Sequence, residues 1–254
     1  MRRSSLFGAV SGALALVLVA LLGLPILALI VGTSPADLAF GLRQPFARDA
    51  LKLSLFTTAC SLSLVVVFGT PLAWICARSQ ARPVRALEIA AQLPVVMPPA
   101  VAGVALLLAF GRRGLLAPLG LHFAFTTFAV ILAEAFVAAP FYVQAAIAAF
   151  RRLDPSLLDV ARTLGASEGG AFARVALPLA RPGLIGGAAM AWARALGEFG
   201  ATLMFAGNLQ GRTQTLPLAI YAAMESDVRG AQALSVLLVA VAFGLLLVVR
   251  WGQR

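Results

Sequence analysis

Three charged side chains, Glu134, Arg194 and Glu198, stand inside stretches that are otherwise apolar. A charge at mid-bilayer costs roughly 3 kcal/mol on insertion scales, so such groups face protein or water and mark a pathway or a structural ion pair. Arg194 and Glu198 are one helical turn apart, a spacing that lets them pair. A gate and a strut between helices both fit this pair, with Glu134 as a candidate third member. Other chemistry is sparse. No nucleophile, metal cluster or G-x-S-x-G elbow accompanies the two glutamates, which disfavours an intramembrane enzyme. The single histidine, His122, has no Cys or His partner, which disfavours a metal site. Cys60 and Cys76 fall on one expected helix about 24 Å apart, beyond disulfide reach, and read as small apolar core residues. The one lysine, Lys52, follows Leu51, so a G-x-x-x-x-G-K-[ST] phosphate loop is absent and nucleotide chemistry would have to come from another chain.

These residues sit in a chain of 254 residues that is 61% hydrophobic and 12% charged, with mean hydropathy +0.95. That balance predicts an all-α polytopic membrane protein in a single domain, 1–254. Six apolar stretches are long enough to span, at about 20 residues each: Leu6–Val31, Leu51–Ala77, Leu87–Phe110, Phe123–Ala149, Pro182–Ala206 and Ala231–Val249. The first apolar run is longer than a secretory signal core of roughly 7–15 residues and reads as an uncleaved anchor. The net charge of +10 sits mainly in short loops, where membrane topology explains it better than nucleic acid does. With the N-terminus inside, twelve arginines fall on the cytoplasmic side, among them Arg2, Arg3, Arg250 and Arg254, against seven basic residues outside. The bias predicts both termini in the cytoplasm of a bacterial inner membrane.

Individual spans differ. The second is ordinary apart from Pro71. The third carries Pro94, Pro98 and Pro99, which open backbone carbonyls at membrane depth; a path lining and a packing kink both fit. In the fifth, Gly183, Gly187, Ala191 and Ala195 recur every fourth residue and allow close approach by other helices or by a second copy of the chain. Between spans five and six, Asn208, Arg212, Thr213, Gln214 and Thr215 could bond an anion, but a solvated loop is the simpler expectation.

The segment 151–180 reads as two helices broken at Gly165, neither of them long enough to cross a bilayer. Asp154 and Pro155 suit the start of the first, whose Leu157, Leu158, Ala161 and Leu164 make an apolar stripe. Ser167 and Glu168 start the second, which carries Phe172 and Val175 and is expected to stop before Pro178. Topology places this hairpin in the cytoplasm, as a handle for another protein.

Asp159-Val160-Ala161-Arg162-Thr163-Leu164-Gly165, then nine residues, then Val175-Ala176-Leu177-Pro178, resembles the cytoplasmic loop signature of ABC importer permeases, E-A-A-x-x-x-G, nine residues, I-x-L-P. Asp159 replaces the usual Glu and Val160 the first Ala. The resemblance implies a type I importer permease fold, with Asp159, Ala161, Arg162, Leu164 and Gly165 in a coupling helix that docks on a separate ATPase. ATP and magnesium would then be held by that partner, and this chain would bind no cofactor. Leu93–Pro99 with Gly111–Gly114, Ala193–Thr202 through Asn208, and Arg212–Pro217 through Tyr221 resemble molybdate permeases. Sulfate permeases share the Leu196–Gly200 core. The resemblance covers roughly residues 50–250, leaving 1–49 as anchor and extracytoplasmic loop. It implies import of a tetrahedral oxyanion, molybdate or tungstate first, by a homodimer with two ATPases and an extracytoplasmic binding protein. Thr202 and Asn208 then join Glu134, Arg194 and Glu198 as pathway or gate candidates. A sulfate or thiosulfate permease, an ion-coupled secondary transporter using Glu134 and Glu198, and a non-transporting membrane scaffold are the alternatives.

Overall fold

A computed structural model describes residues 2–251 of the chain. Arg254 of the topology count, and the side chains of Arg2, Arg3 and Arg250, lie outside what is described. Among the described residues the regular structure is helical throughout: α1 Arg2–Gly32, α2 Pro35–Arg43, α3 Pro45–Arg78, α4 Arg82–Val96, α5 Pro99–Phe110, α6 Thr127–Arg151, α7 Pro155–Thr163, α8 Glu168–Ala171, α9 Leu177–Leu196, α10 Gly200–Ala206, α11 Leu216–Met224 and α12 Val228–Trp251.

Four of these helices, α1, α3, α6 and α12, are long and apolar enough to span unbroken. The third apolar stretch is instead a corner: α4 and α5 meet at Met97–Pro98 with a bend of 119°. Pro98 and Pro99 supply no N–H to continue α4, so the chain turns and Pro99 opens a new helix at its first position. The corner nevertheless carries the chain across. At one end of α6, Arg151 bonds Glu88 of α4 at 2.7 Å and lies 3.3 Å from the Cys76 carbonyl of α3. At the other end, Phe123 N–H donates to Phe110, the last residue of α5, at 2.9 Å.

The fifth stretch is also divided, because α9 ends at Leu196 and α10 starts at Gly200. In the opposite direction α9 begins earlier than expected. Pro178 does not stop the second loop helix; α8 runs through a π-helical turn, Phe172–Ala176, directly into α9. The wider turn lets Leu177 N–H reach the Phe172 carbonyl, so the helix passes a proline that would break a regular α turn.

Around this frame, α6 is the hub, packed between α3 and α9. The four-residue repeat of α9 serves that contact within one chain. A Cβ on Gly183 would stand 2.6 Å from Ala149 Cβ, and one on Gly187 2.7 Å from Ala145 Cβ. By contrast α1, with mean hydropathy 3.1, is exposed along nearly its whole length and makes its main contact with α12. Gly187→Leu is expected to force α6 and α9 apart at a cost of about 1–3 kcal/mol. Gly244→Leu, where nothing lies within 4 Å, serves as the control. Thermal unfolding of the detergent-purified variants checks this, and equal midpoints for the two would refute it.

Candidate coupling surface and membrane path

The hairpin after α6 has the caps its sequence requires. Asp154 accepts the Ser156 N–H at 2.9 Å, and this bond holds its carboxyl below the usual carboxylate range. Ser167 accepts the Gly170 N–H at 3.1 Å at the start of α8. Gly165 lies between them with φ +86, the left-handed conformation that ends α7, and no neighbour approaches the place of a Cβ.

The apolar stripe of α7 divides. Leu158 is buried and Ala161 half-buried against the membrane core, whereas Leu157, Val160 and Leu164 face outward, Leu164 at 82% exposure. One row anchors the helix, and the other leaves an apolar surface flanked by Asp159. Arg162 reaches toward Asp159 and Glu168, at 3.4 and 3.3 Å, and so bridges α7 to α8. Beneath the hairpin, Phe172 packs on Trp74 of α3 and Phe150 of α6, with ring centroids 5.0 and 6.0 Å away. The hairpin thus rests on the ends of α3 and α6.

Inside the membrane region, Arg194 Nη2 lies 2.7 Å from Glu198 Oε2, which realises the expected pair. Glu198 is also a helix cap: its Oε1 accepts the Ala201 N–H at 2.7 Å, across the break from α9 to α10. Without that carboxylate the first turn of α10 would start with unpaired donors in a dry setting. Thr202 follows one turn later and is fully buried.

Glu134 belongs to a different arrangement. It accepts from Thr57 Oγ1 and Ser61 Oγ of α3, each at 2.8 Å. Nearby, Trp192 Nε1 of α9 donates to Thr58 Oγ1 at 3.0 Å, and Leu216 N–H of α11 donates to Ser54 Oγ at 2.7 Å. Ser54, Thr57, Thr58 and Ser61 follow i, i+3, i+4, i+7, one face of a helix. The second span is therefore not ordinary. Its hydroxyl periodicity is visible in the sequence, but the apolar residues between mask it.

The region after α10 is not a simple solvated loop either. Gly207 and Gly211 both take φ +73, Thr213 and Thr215 are buried, and α11 buries Leu216 and Leu218. Here Asn208 Nδ2 lies 3.5 Å from the Leu218 carbonyl. Thr127 Oγ1 at the start of α6 donates to the Arg212 carbonyl at 2.9 Å, which fixes this segment at the end opposite the hairpin. The five membrane-path candidates thus occupy three places: the Arg194–Glu198–Thr202 break, the α3–α6 seam at Glu134, and the far-end turn at Asn208.

Residues 69–254 match the family described as the binding-protein-dependent transport system inner membrane component. The chain belongs to that family. Among its relatives, the molybdenum transport system permease protein ModB of Mycobacterium tuberculosis is 49% identical over 202 residues, covering 78% of this chain and 76% of that protein. ModB of Escherichia coli K12 is 36% identical over 213 residues, covering 81% and 93%. A bacterial alginate ABC transporter, solved with its alginate-bound periplasmic protein, aligns over 100% of this chain and 95% of its own with TM-score 0.80 at 17% identity. The MetNI methionine ABC transporter, in an inward-facing conformation, aligns over 81% and 93% with TM-score 0.65 at 20% identity. The family fold is that of an ABC importer permease, and the chain is a membrane transport subunit rather than an enzyme.

In this permease, Glu198→Ala removes both a counter-charge and a cap. It is expected to destabilise by about 3–5 kcal/mol, because Arg194 is left uncompensated. Replacing Arg194 and Glu198 together by methionine should recover most of that loss. Thermal unfolding of the three proteins reads it, and an additive double variant would contradict the direct pair.

Proposed function

We propose that this chain is the membrane-spanning subunit of an ATP-driven importer of molybdate, with tungstate as a second substrate. The observation that carries the reading is the 49% identity to a molybdenum transport permease, joined to a capped, outward-facing hairpin at the end of α6. Two copies of the chain would form the pathway, each carrying one ATPase on its hairpin, and a binding protein would deliver the oxyanion to the far end. The basic bias puts both termini and the hairpin in the cytoplasm. ATP and magnesium belong to the ATPase partner.

The coupling role falls to Asp159, Ala161, Arg162, Leu164 and Gly165. Leu164 and Val160 offer apolar contact area, and Asp159 offers a carboxylate at its edge. Movement of the docked ATPases would press on α7 and reach α3, α6 and α9 through Leu158 and the Phe172–Trp74–Phe150 cluster. Glu134, Arg194, Glu198, Thr202 and Asn208 are proposed as the polar points of the pathway and its gates, within a permease domain that fills the chain. Sulfate or thiosulfate is the competing cargo, since the Leu196–Gly200 core is shared with permeases of that class.

In proteoliposomes holding the permease, its ATPase and the binding protein, molybdate uptake is expected to require ATP and to survive collapse of the proton gradient. Uptake driven by the gradient without ATP would favour the secondary-transporter reading. Gly165→Pro cannot adopt φ +86 and is expected to lower coupled uptake at least tenfold while α3, α6 and α9 remain folded. Wild-type uptake in that variant would remove the coupling assignment.

A further inference from the structure

The α4–α5 corner encloses a cavity of about 140 Å³ at the mid-height of α6. Pro94, Met97, Pro99 and Ala102 line it from the corner, Val137 and Phe141 from α6, and Arg194 from α9. Arg194 is the only charged side chain in that lining. Its volume is several times the roughly 30 Å³ of one water.

Arg194 is not used up by its pair. A guanidinium carries five N–H donors in a fixed fork, and its 2.7 Å contact with Glu198 is made at Nη2. Nε and Nη1 make no hydrogen bond among the described residues, and the side chain keeps 29% of its exposure. Glu198 is meanwhile fixed by the Ala201 N–H, so a ligand can meet the free edge of Arg194 without displacing the carboxylate. A cation with spare donors between apolar walls attracts an acceptor-only group that carries negative charge and several oxygens. The low local polarity strengthens that attraction, while the nearby carboxylate weakens it. A transport path needs this balance, because a site must bind well enough to be entered and weakly enough to be left.

We infer that this cavity is a transient binding site for a tetrahedral oxyanion, with the free edge of Arg194 as its ligand. The inference rests on the reading of the chain as an oxyanion importer and adds a substrate-contacting place within the membrane. The proline corner supplies the room, and the α9–α10 break supplies the fixed counter-charge.

The test uses the permease–ATPase complex in nanodiscs without binding protein, with radiolabelled molybdate as the probe and sulfate as competitor. Wild type is expected to bind molybdate saturably and weakly. The Arg194→Gln/Glu198→Gln double variant removes the cation without stranding a buried charge and should weaken binding at least tenfold. Ala102→Leu keeps both charges, adds bulk to the cavity wall that Ala102 lines, and should weaken binding comparably. Arg194→Lys, which keeps charge but loses the fork, should weaken it a few-fold. Assembly with the ATPase, read by gel filtration, shows which variants are folded. ATP-driven uptake by wild type, together with unchanged molybdate binding in whichever of these variants assemble, would overturn the site and leave the importer reading standing. Absence of ATP-driven oxyanion uptake by wild type would instead overturn the importer reading.

Discussion

A hydroxyl face on α3 holds the membrane region together. Side-chain polar groups among apolar helices gain most there when they find partners, and Ser54, Thr57, Thr58 and Ser61 give α3 four such groups in one line. Each engages a different neighbour or shares one: Leu216 of α11, Glu134 of α6, Trp192 of α9. Further along, Thr70 Oγ1 and Tyr142 Oη lie 2.6 Å apart and tie α3 to α6 again. Apolar contact alone would let helices slide or rotate in lipid, since lipid tails are as apolar as leucine. Directional bonds fix the rotation of α3, and with it the faces that α6 and α9 present to each other.

That fixed frame allows two of the spanning stretches to be broken. The α4–α5 corner and the α9–α10 break both expose backbone groups that intact helices would satisfy internally. Pro99 removes one orphan donor by having no N–H, and Glu198 takes another through Ala201. The breaks are thereby supported by neighbouring protein. They also place Arg194 beside the corner rather than toward lipid. A structural strut and a functional group are not exclusive here: Glu198 holds the break, while Arg194 has donors to spare.

Mechanical continuity follows from the π turn at Phe172–Ala176. Because α8 runs into α9 without a loop, a displacement of the hairpin would be carried along a helix axis and not absorbed in a flexible joint. The Phe172–Trp74–Phe150 cluster ties the same helix to α3 and α6. Had Pro178 ended the helix, as its residue type suggests, this connection would have been soft.

The sequence by itself determined the class, the approximate spans, the hairpin with its caps at Asp154, Gly165 and Ser167, and the Arg194–Glu198 pair. All of these rest on local rules: run length, capping chemistry, glycine conformation and i, i+4 geometry act over a few residues and need no knowledge of the rest of the chain. Only the tertiary structure decided that Glu134 belongs to α3 rather than to Arg194, that the glycine repeat of α9 is spent on α6, and that Thr213 to Leu218 is packed rather than solvated. It also decided how the prolines act, since Pro178 is accommodated by a π turn whereas Pro98 and Pro99 turn a corner. The reason is the same in each case. These outcomes depend on which partner a face or a freed backbone group meets, and residues as far apart as Thr57 and Glu134 are brought into contact only by packing.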